Sequence, residues 1–324
     1  MKNTKRMTAL LLIFAMLTFA LAGCGKSGKK DGKYRIGVIQ LVQHDALDQA
    51  TKGFEDEVKK ELGAENVTFD VQNAGGDSAT CATIANGFVA DGVDLIMANT
   101  TASLQAAMAA TADIPIVATC VTDYATALQM NNWKGKTGIN ITGTSDLSPI
   151  DKQAEIIKEL VPNAKQVAIL YCSAEPNSKF QAEEMKKNLD KLGIQHKEYT
   201  AADSNDLTPV ATKAVSECDV LYLPTDNVIA SSVNSINELA SSKKVPVICG
   251  EEALCKGGGL ATLSINYYDL GVETGKMACQ ILKEGKKPGD MKIEYFKNPV
   301  KEYVPERADA LGITIPEGYV VLEN

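Results

Sequence analysis

The sequence predicts an α/β protein of two similar lobes, each a doubly wound parallel sheet, with a ligand cleft between them. Three observations carry this. The chain repeats itself, each copy alternates short β-branched-rich runs with helix-period segments, and runs such as 167–170 and 220–223 are apolar throughout. Such alternation implies parallel strands joined by helical crossovers, and unbroken apolarity implies strands covered on both faces.

The repeat is read from two pairs of segments. DLIMANTTASLQAAMAATADIPIVATC, starting at Asp94, and DVLYLPTDNVIASSVNSINELASSKKVPVICG, starting at Asp219, both run acid, apolar strand, polar turn with Thr, amphipathic helix, then I/V-P-I/V and more strand. Thr100 aligns with Thr225, and Pro115 with Pro246. Upstream, RIGVIQL and VTFDVQNA match QVAILYC and IQHKEYTA, with Gly53-Phe54 opposite Lys179-Phe180. The offset is about 125 to 131 residues in each comparison.

Taken in chain order, residues 1–23 carry Lys2, Lys5 and Arg6, then an apolar run from Ala9 to Ala22, then small residues, which is the order of an export signal. The run is shorter than the roughly 20 apolar residues that a bilayer crossing needs, and no later segment reaches that length. Leu21-Ala22-Gly23-Cys24 resembles the lipobox of bacterial lipoproteins, which implies cleavage before Cys24 and lipidation of that cysteine. Residues 24–33 hold Gly, Ser and Lys with nothing to bury and read as a flexible tether, whose lysines also suit an anionic membrane surface. Residues 34–141 form the expected first lobe and 142–260 the second. Residues 261–324 return to the first lobe and end in segments shared between the two.

Beyond residue 23 there are 30 Lys and Arg against 41 Asp and Glu, a formal charge of −11. An acidic body of this kind argues against a nucleic-acid partner. Seven cysteines follow Cys24 without CxxC spacing. Most read as small buried residues, and Cys249 and Cys255 are the one pair considered for a bridge. Only His44 and His196 are available to join thiols around a metal, or to act as the base that a nucleophile needs, so no metal or cofactor is expected. There is no GxSxG, no Walker-type phosphate loop and no HExxH, and Lys256-Gly257-Gly258-Gly259 precedes a strand instead of following one. An exported two-lobed enzyme is therefore the less favoured alternative.

In an open parallel sheet, ligands bind where the loops after strand C-termini converge. In the first copy these loops hold Asn73, Asn99-Thr100-Thr101 and Asp123; in the second they hold Glu175-Pro176-Asn177-Ser178, Asp226-Asn227 and Glu251-Glu252. Any one of these residues can be a helix cap. Together they offer more. Backbone N–H groups and hydroxyls at Thr100 and Thr101 suit a carboxylate. Asp226 suits an ammonium group, with Asp123 and Glu175 as alternative partners and Asn177, Ser178 and Asn227 as orienting groups. Anion donors on one lobe facing a carboxylate on the other match a zwitterion, that is, a free amino acid. Another small polar solute, such as a sugar or nucleoside, is the alternative. A sugar wants aromatic platforms, however, and the only tryptophan, Trp133, falls in a loop-like stretch.

From Tyr34 to about Pro316 the chain resembles the substrate-binding lipoproteins of ABC importers, in the family that includes tryptophan- and phenylalanine-binding members. The motifs GVIQLVQHDALDQATKGF, VQNAGGD, GTSDLSPIDKQAEIIKELVP, EPNS, PTDN, NYYDLGVETGKMA and ALGITIP carry the resemblance and occur in order. It implies a type I periplasmic-binding-protein fold, with crossings in 138–144, in 254–263 and once more toward the C-terminus. It further implies an aromatic amino acid as ligand, His44 as a candidate ligand contact, and a permease with its ATPase as partners. The protein would then be a monomer on the outer face of the cytoplasmic membrane, held through Cys24. The chain departs from the family pattern at Thr100-Thr101, at Tyr124 after Asp123, and at Cys249-Gly250-Glu251-Glu252, all in the expected site.

Overall fold

The structure, a computed structural model, describes residues 32–322. The export signal, Cys24 and the tether up to residue 31 lie outside the described residues.

The first sheet is built from β1 (Tyr34–Gln40), β2 (Val67–Asn73), β3 (Leu95–Asn99), β4 (Ile116–Thr119) and β5 (Ile141–Ser145). The helices α1 (Asp45–Leu62), α2 (Ser78–Asp91), α3 (Thr101–Ala110) and α4 (Tyr124–Ala127) connect them. The second lobe follows the same plan. Its strands β6 (Gln166–Cys172), β7 (Gln195–Ala201), β8 (Val220–Leu223), β9 (Val247–Cys249) and β10 (Ala261–Ser264) alternate with helices after an opening helix α5 (Ile150–Leu160). Those helices are α6 (Pro176–Leu192), α7 (Ser204–Glu217), α8 (Asn227–Ala230), α9 (Val233–Lys243) and α10 (Glu252–Gly258). The chain then gives α11 (Tyr267–Glu284) and β11 (Glu294–Tyr295) to the first lobe, and β12 (Val300–Tyr303), α12 (Pro305–Leu311) and β13 (Val320–Val321) to the second.

The first sheet has the order β2-β1-β3-β4-β5-β11 and is parallel throughout. The second has the order β7-β6-β8-β9-β10-β12-β13, parallel except for the antiparallel pair of β10 and β12. Strand order reverses between β1 and β3, and again between β6 and β8. These are the switch points at which such sheets hold ligands.

The sequence repeat is matched atom for atom at equivalent positions. Asp94 Oδ2 accepts from Arg35 N at 2.7 Å, and Asp219 Oδ2 accepts from Gln166 N at 3.0 Å, each tying the start of the lobe's first strand to the start of its third. The Pro115 carbonyl accepts from Ile96 N and the Pro246 carbonyl from Leu221 N, both at 2.9 Å. The central strands β3 and β8 are buried along their whole lengths, β8 as its unbroken apolar run predicts and β3 down to the polar Asn99 at its end.

The lobe boundaries fall later than the sequence places them. Ile141 pairs with Ile116, and Thr144 with Glu294, so β5 completes the first sheet instead of leaving it. Ala261 pairs with Ile248, so β10 stays in the second. The crossings are therefore at 146–149, 265–266 and 296–299. Short strands ending in Ser or Thr look like connectors in sequence, and only their pairing assigns them to a sheet. All seven described cysteines are free, Cys249 and Cys255 included, and all but Cys218 are buried.

Helices α1 and α11 lie backbone to backbone. A Cβ added at Gly53 would run into the Tyr268 carbonyl oxygen, and one at Gly271 into that of Ala50. This close approach brings together the start of α1, where His44 is the N-cap, and the start of α11 at Tyr267.

Candidate functional site

The connections after β1, β4, β5, β6, β8 and β9 converge on one cavity between the lobes. From the first lobe and its crossing come His44, Ala46, Leu47, Cys120, Thr122 and Asp146, with Tyr267 from the second crossing. The second lobe supplies Asn177, Thr225, Asp226, Asn227, Ala230 and Glu251. The lobes are closed on each other. His44 Nε2 stands 3.3 Å from Asn227 Oδ1, a bond made by the tautomer protonated at Nε2. The free volume is about 10 Å³, roughly that of one water, so a solute of any size reaches the cavity only when the lobes part. An adjoining interlobe pocket of about 290 Å³ shares Ala46, Glu251 and Tyr267 with it.

Local rules place these side chains. His44 has extended backbone at the N-cap of α1 and makes no capping bond, which leaves its ring to face the other lobe. Burial pushes its pKa below the usual value, against the bond His44 donates to Asn227 and the charges of Asp48 and Asp45. Its Nδ1 is buried without a partner. Asp226 caps α8: Oδ1 accepts from Ile229 N at 2.9 Å and Oδ2 from Cys172 N at 2.7 Å. Glu251 caps α10 in the same way, accepting from Ala253 N and Leu254 N at 2.6 Å each.

The motifs EPNS and PTDN form one network. Glu175 accepts from the side chains of Asn227 at 2.7 Å and Asn177 at 3.0 Å, and from Val228 N at 3.0 Å. Asn177 and Gln181 both donate to the Thr225 carbonyl, at 3.2 and 3.0 Å. Burial, with the neighbouring charge of Asp226, pushes Glu175 up to about 8. Its role is to hold the two asparagines that reach the cavity.

Of the residues singled out from sequence, His44, Asn177, Asp226 and Asn227 line the cavity. Glu175 and Ser178 bond to residues that do, Ser178 Oγ donating to the Thr225 carbonyl at 3.5 Å. The other four lie outside the lining. Thr100 caps α3 through Ser103 N at 3.4 Å with φ of 117°, and Thr101, at the first position of that helix, is buried. Asp123 caps α4 through Thr126 N at 2.7 Å. Asn73 closes a turn on Gly75 N at 2.7 Å at the exposed end of β2. Each occupies the place where a helix start or turn needs a short polar side chain.

Sequence reasoning did not single out Cys120, Thr122, Asp146 or Tyr267. Asp146 is 4 % exposed; Oδ2 accepts from Tyr267 Oη at 3.3 Å, while Oδ1 is buried without a partner. Both residues sit in quoted motifs, GTSDLSP and NYYDLG, at the crossings that the sequence misplaces. The cavity holds no activated nucleophile: burial pushes the Cys120 thiol well above its ordinary value, so it carries no thiolate at neutral pH. Among the described residues, no group of three His, Cys, Asp or Glu converges as metal ligands.

The profile of the ABC transporter substrate binding protein family matches residues 35–323. A tyrosine-binding protein of Clostridioides difficile (strain R20291) is 37% identical over 308 residues, 90% of this chain and 88% of that protein. The crystal structure of an ABC domain in complex with L-Trp from Streptococcus pneumonia is similar at 36% identity and TM-score 0.85, over 89% of this chain and 99% of that one. The ligand-free, open structure of a substrate binding protein with adhesive properties from Clostridium difficile matches at 37% identity over 90% and 100% of the chains, with TM-score 0.68. The fold is the type I periplasmic-binding-protein fold that the sequence motifs imply.

Proposed function

We propose that this chain, which belongs to the ABC transporter substrate binding protein family, captures a free aromatic amino acid between its lobes and delivers it to a membrane importer. Its homologues are solute-binding proteins of ABC transporters, not enzymes. The observation that carries the reading is a cavity walled by both lobes, with His44 of one touching Asn227 of the other. A ligand that bridges the lobes favours closure by as much as it binds the closed form better than the open one.

Polar groups for an amino acid's charged end are present in carboxylates, two asparagines, a histidine and Thr122. Ala46, Leu47 and Ala230 leave small apolar walls suited to a ring once the lobes open. The tyrosine-binding relative and the L-Trp complex support the aromatic class. A sugar is disfavoured because Tyr267 is the one aromatic residue in the lining, and Trp133 instead stacks on Tyr124 at 6.3 Å.

Delivery needs a permease with its ATPase, and the protein, a monomer, works at the outer face of the cytoplasmic membrane. Family membership supports that location, and among the described residues no helix is long and apolar enough to cross a membrane. Attachment through lipidated Cys24 rests on the LAGC motif and the tether behind it. A tethered binder stays at high effective concentration beside its permease.

A thermal-shift screen of the purified protein against the twenty amino acids, sugars and nucleosides tests the ligand class. Aromatic amino acids are expected to raise the melting temperature, since a ligand at about 100 times its Kd adds about 2.7 kcal/mol to stability. Stabilisation by sugars or nucleosides alone would overturn the aromatic reading.

A further inference from the structure

Three carboxylates line the interlobe cavity, and they are not equivalent. Asp226 and Glu251 each commit both oxygens to backbone N–H groups: Asp226 to Ile229 at the start of α8 and to Cys172 at the end of β6, and Glu251 to Ala253 and Leu254 at the start of α10. Asp146 caps nothing. Tyr267 donates to one of its oxygens, and the other is buried in the cavity wall without a hydrogen-bond partner. No lysine or arginine is among the residues lining the cavity, and Lys256 in the adjoining pocket is paired with Glu252 at 2.7 Å. We propose that Asp146 is the acceptor for the ligand's ammonium group, and that the site consequently takes arylethylammonium cations as well as aromatic amino acids. The amino-acid part of this rests on the function proposed above.

A buried carboxylate without a cationic partner is unfavourable, and the protein carries that cost at Asp146 in its closed form. Burial, opposed by the nearby hydroxyls of Thr122 and Tyr267, pushes its pKa up to about 6. An ammonium at Oδ1 supplies the missing charge and the missing hydrogen bond in one group. The ligand's carboxylate meets only neutral donors in the lining, such as Asn177 and Asn227, and no fixed cation. Recognition is therefore weighted to the amine. Asp146 stands in the first crossing and Tyr267 just after the second, so the ammonium seats between two segments that join the lobes.

Calorimetric titration of the wild-type protein and of Asp146→Asn decides this. The probes are the tightest-binding of L-tryptophan, L-tyrosine and L-phenylalanine, with 2-phenylethylamine and 3-phenylpropanoate. The amino acid and the amine are expected to bind wild type while the propanoate does not. Asp146→Asn should weaken both by about 10- to 100-fold, the worth of a charge-assisted bond, without lowering the melting temperature. Undiminished binding to Asp146→Asn overturns the proposal, and so does wild-type protein that binds the propanoate but not the amine, a result independent of how the variant folds. Binding of the amine with no aromatic amino acid bound upholds Asp146 and removes the amino-acid reading. Binding of neither removes both.

Discussion

Gly271→Ala is expected to lower the unfolding free energy by about 3 kcal/mol, the upper end of overpacking losses, and to weaken ligand binding with it. The added methyl meets the Ala50 carbonyl oxygen, which is backbone and cannot rotate away, so α1 and α11 must separate. Those helices carry His44 and Tyr267 at their starts, and both side chains line the cavity. Urea unfolding followed by circular dichroism reads the effect. Gly87→Ala is the control: Gly87 lies inside α2 with open space where the methyl would go, and it should gain about 0.5–1 kcal/mol. Equal midpoints for Gly271→Ala and wild type would mean that the two helices have room between them after all.

Asp226→Ala should cost about 2–4 kcal/mol of stability, because it strips partners from two buried N–H groups, those of Cys172 and Ile229. From sequence alone the same change is expected to weaken binding and spare the fold. The structure reverses that order, since Asp226 is a cap first and a cavity wall second. Chemical denaturation and calorimetry on one preparation separate the roles. A variant as stable as wild type but deficient in binding would restore Asp226 as a direct ligand contact. Asp146→Asn is the complementary case, in which binding is weakened and stability is kept.

Much of this fold is legible in the chain because its two halves solve the same packing problem with the same residues. Asp94 and Asp219, Pro115 and Pro246 recur at matching points because each pins the same strand junction in its own sheet. The crossings are less legible in the chain. Whether 141–145 is a strand or a connector depends on Ile116 and Glu294, which lie far off in sequence.

The same limit governs the site. EPNS and PTDN are visible as polar clusters after apolar strands, and they do form one network at the cavity. Thr100 and Asp123 carry the same signal, yet both are occupied as caps of their own helices. A polar residue after a strand is needed locally whether or not it touches a ligand. Asp146 differs in having a buried oxygen without a hydrogen-bond partner, which depends on neighbours from other elements of the fold.

A crystal structure of the protein grown with L-tryptophan or L-tyrosine bears on the binding site most directly. The ligand should lie between the lobes, with its ammonium nitrogen about 2.8 Å from Asp146 Oδ1 and its ring against Ala46, Leu47 and Ala230. A ligand bound away from the interlobe cavity, or one that turns its ring toward Asp146 and leaves that oxygen unpaired, would contradict the assignment.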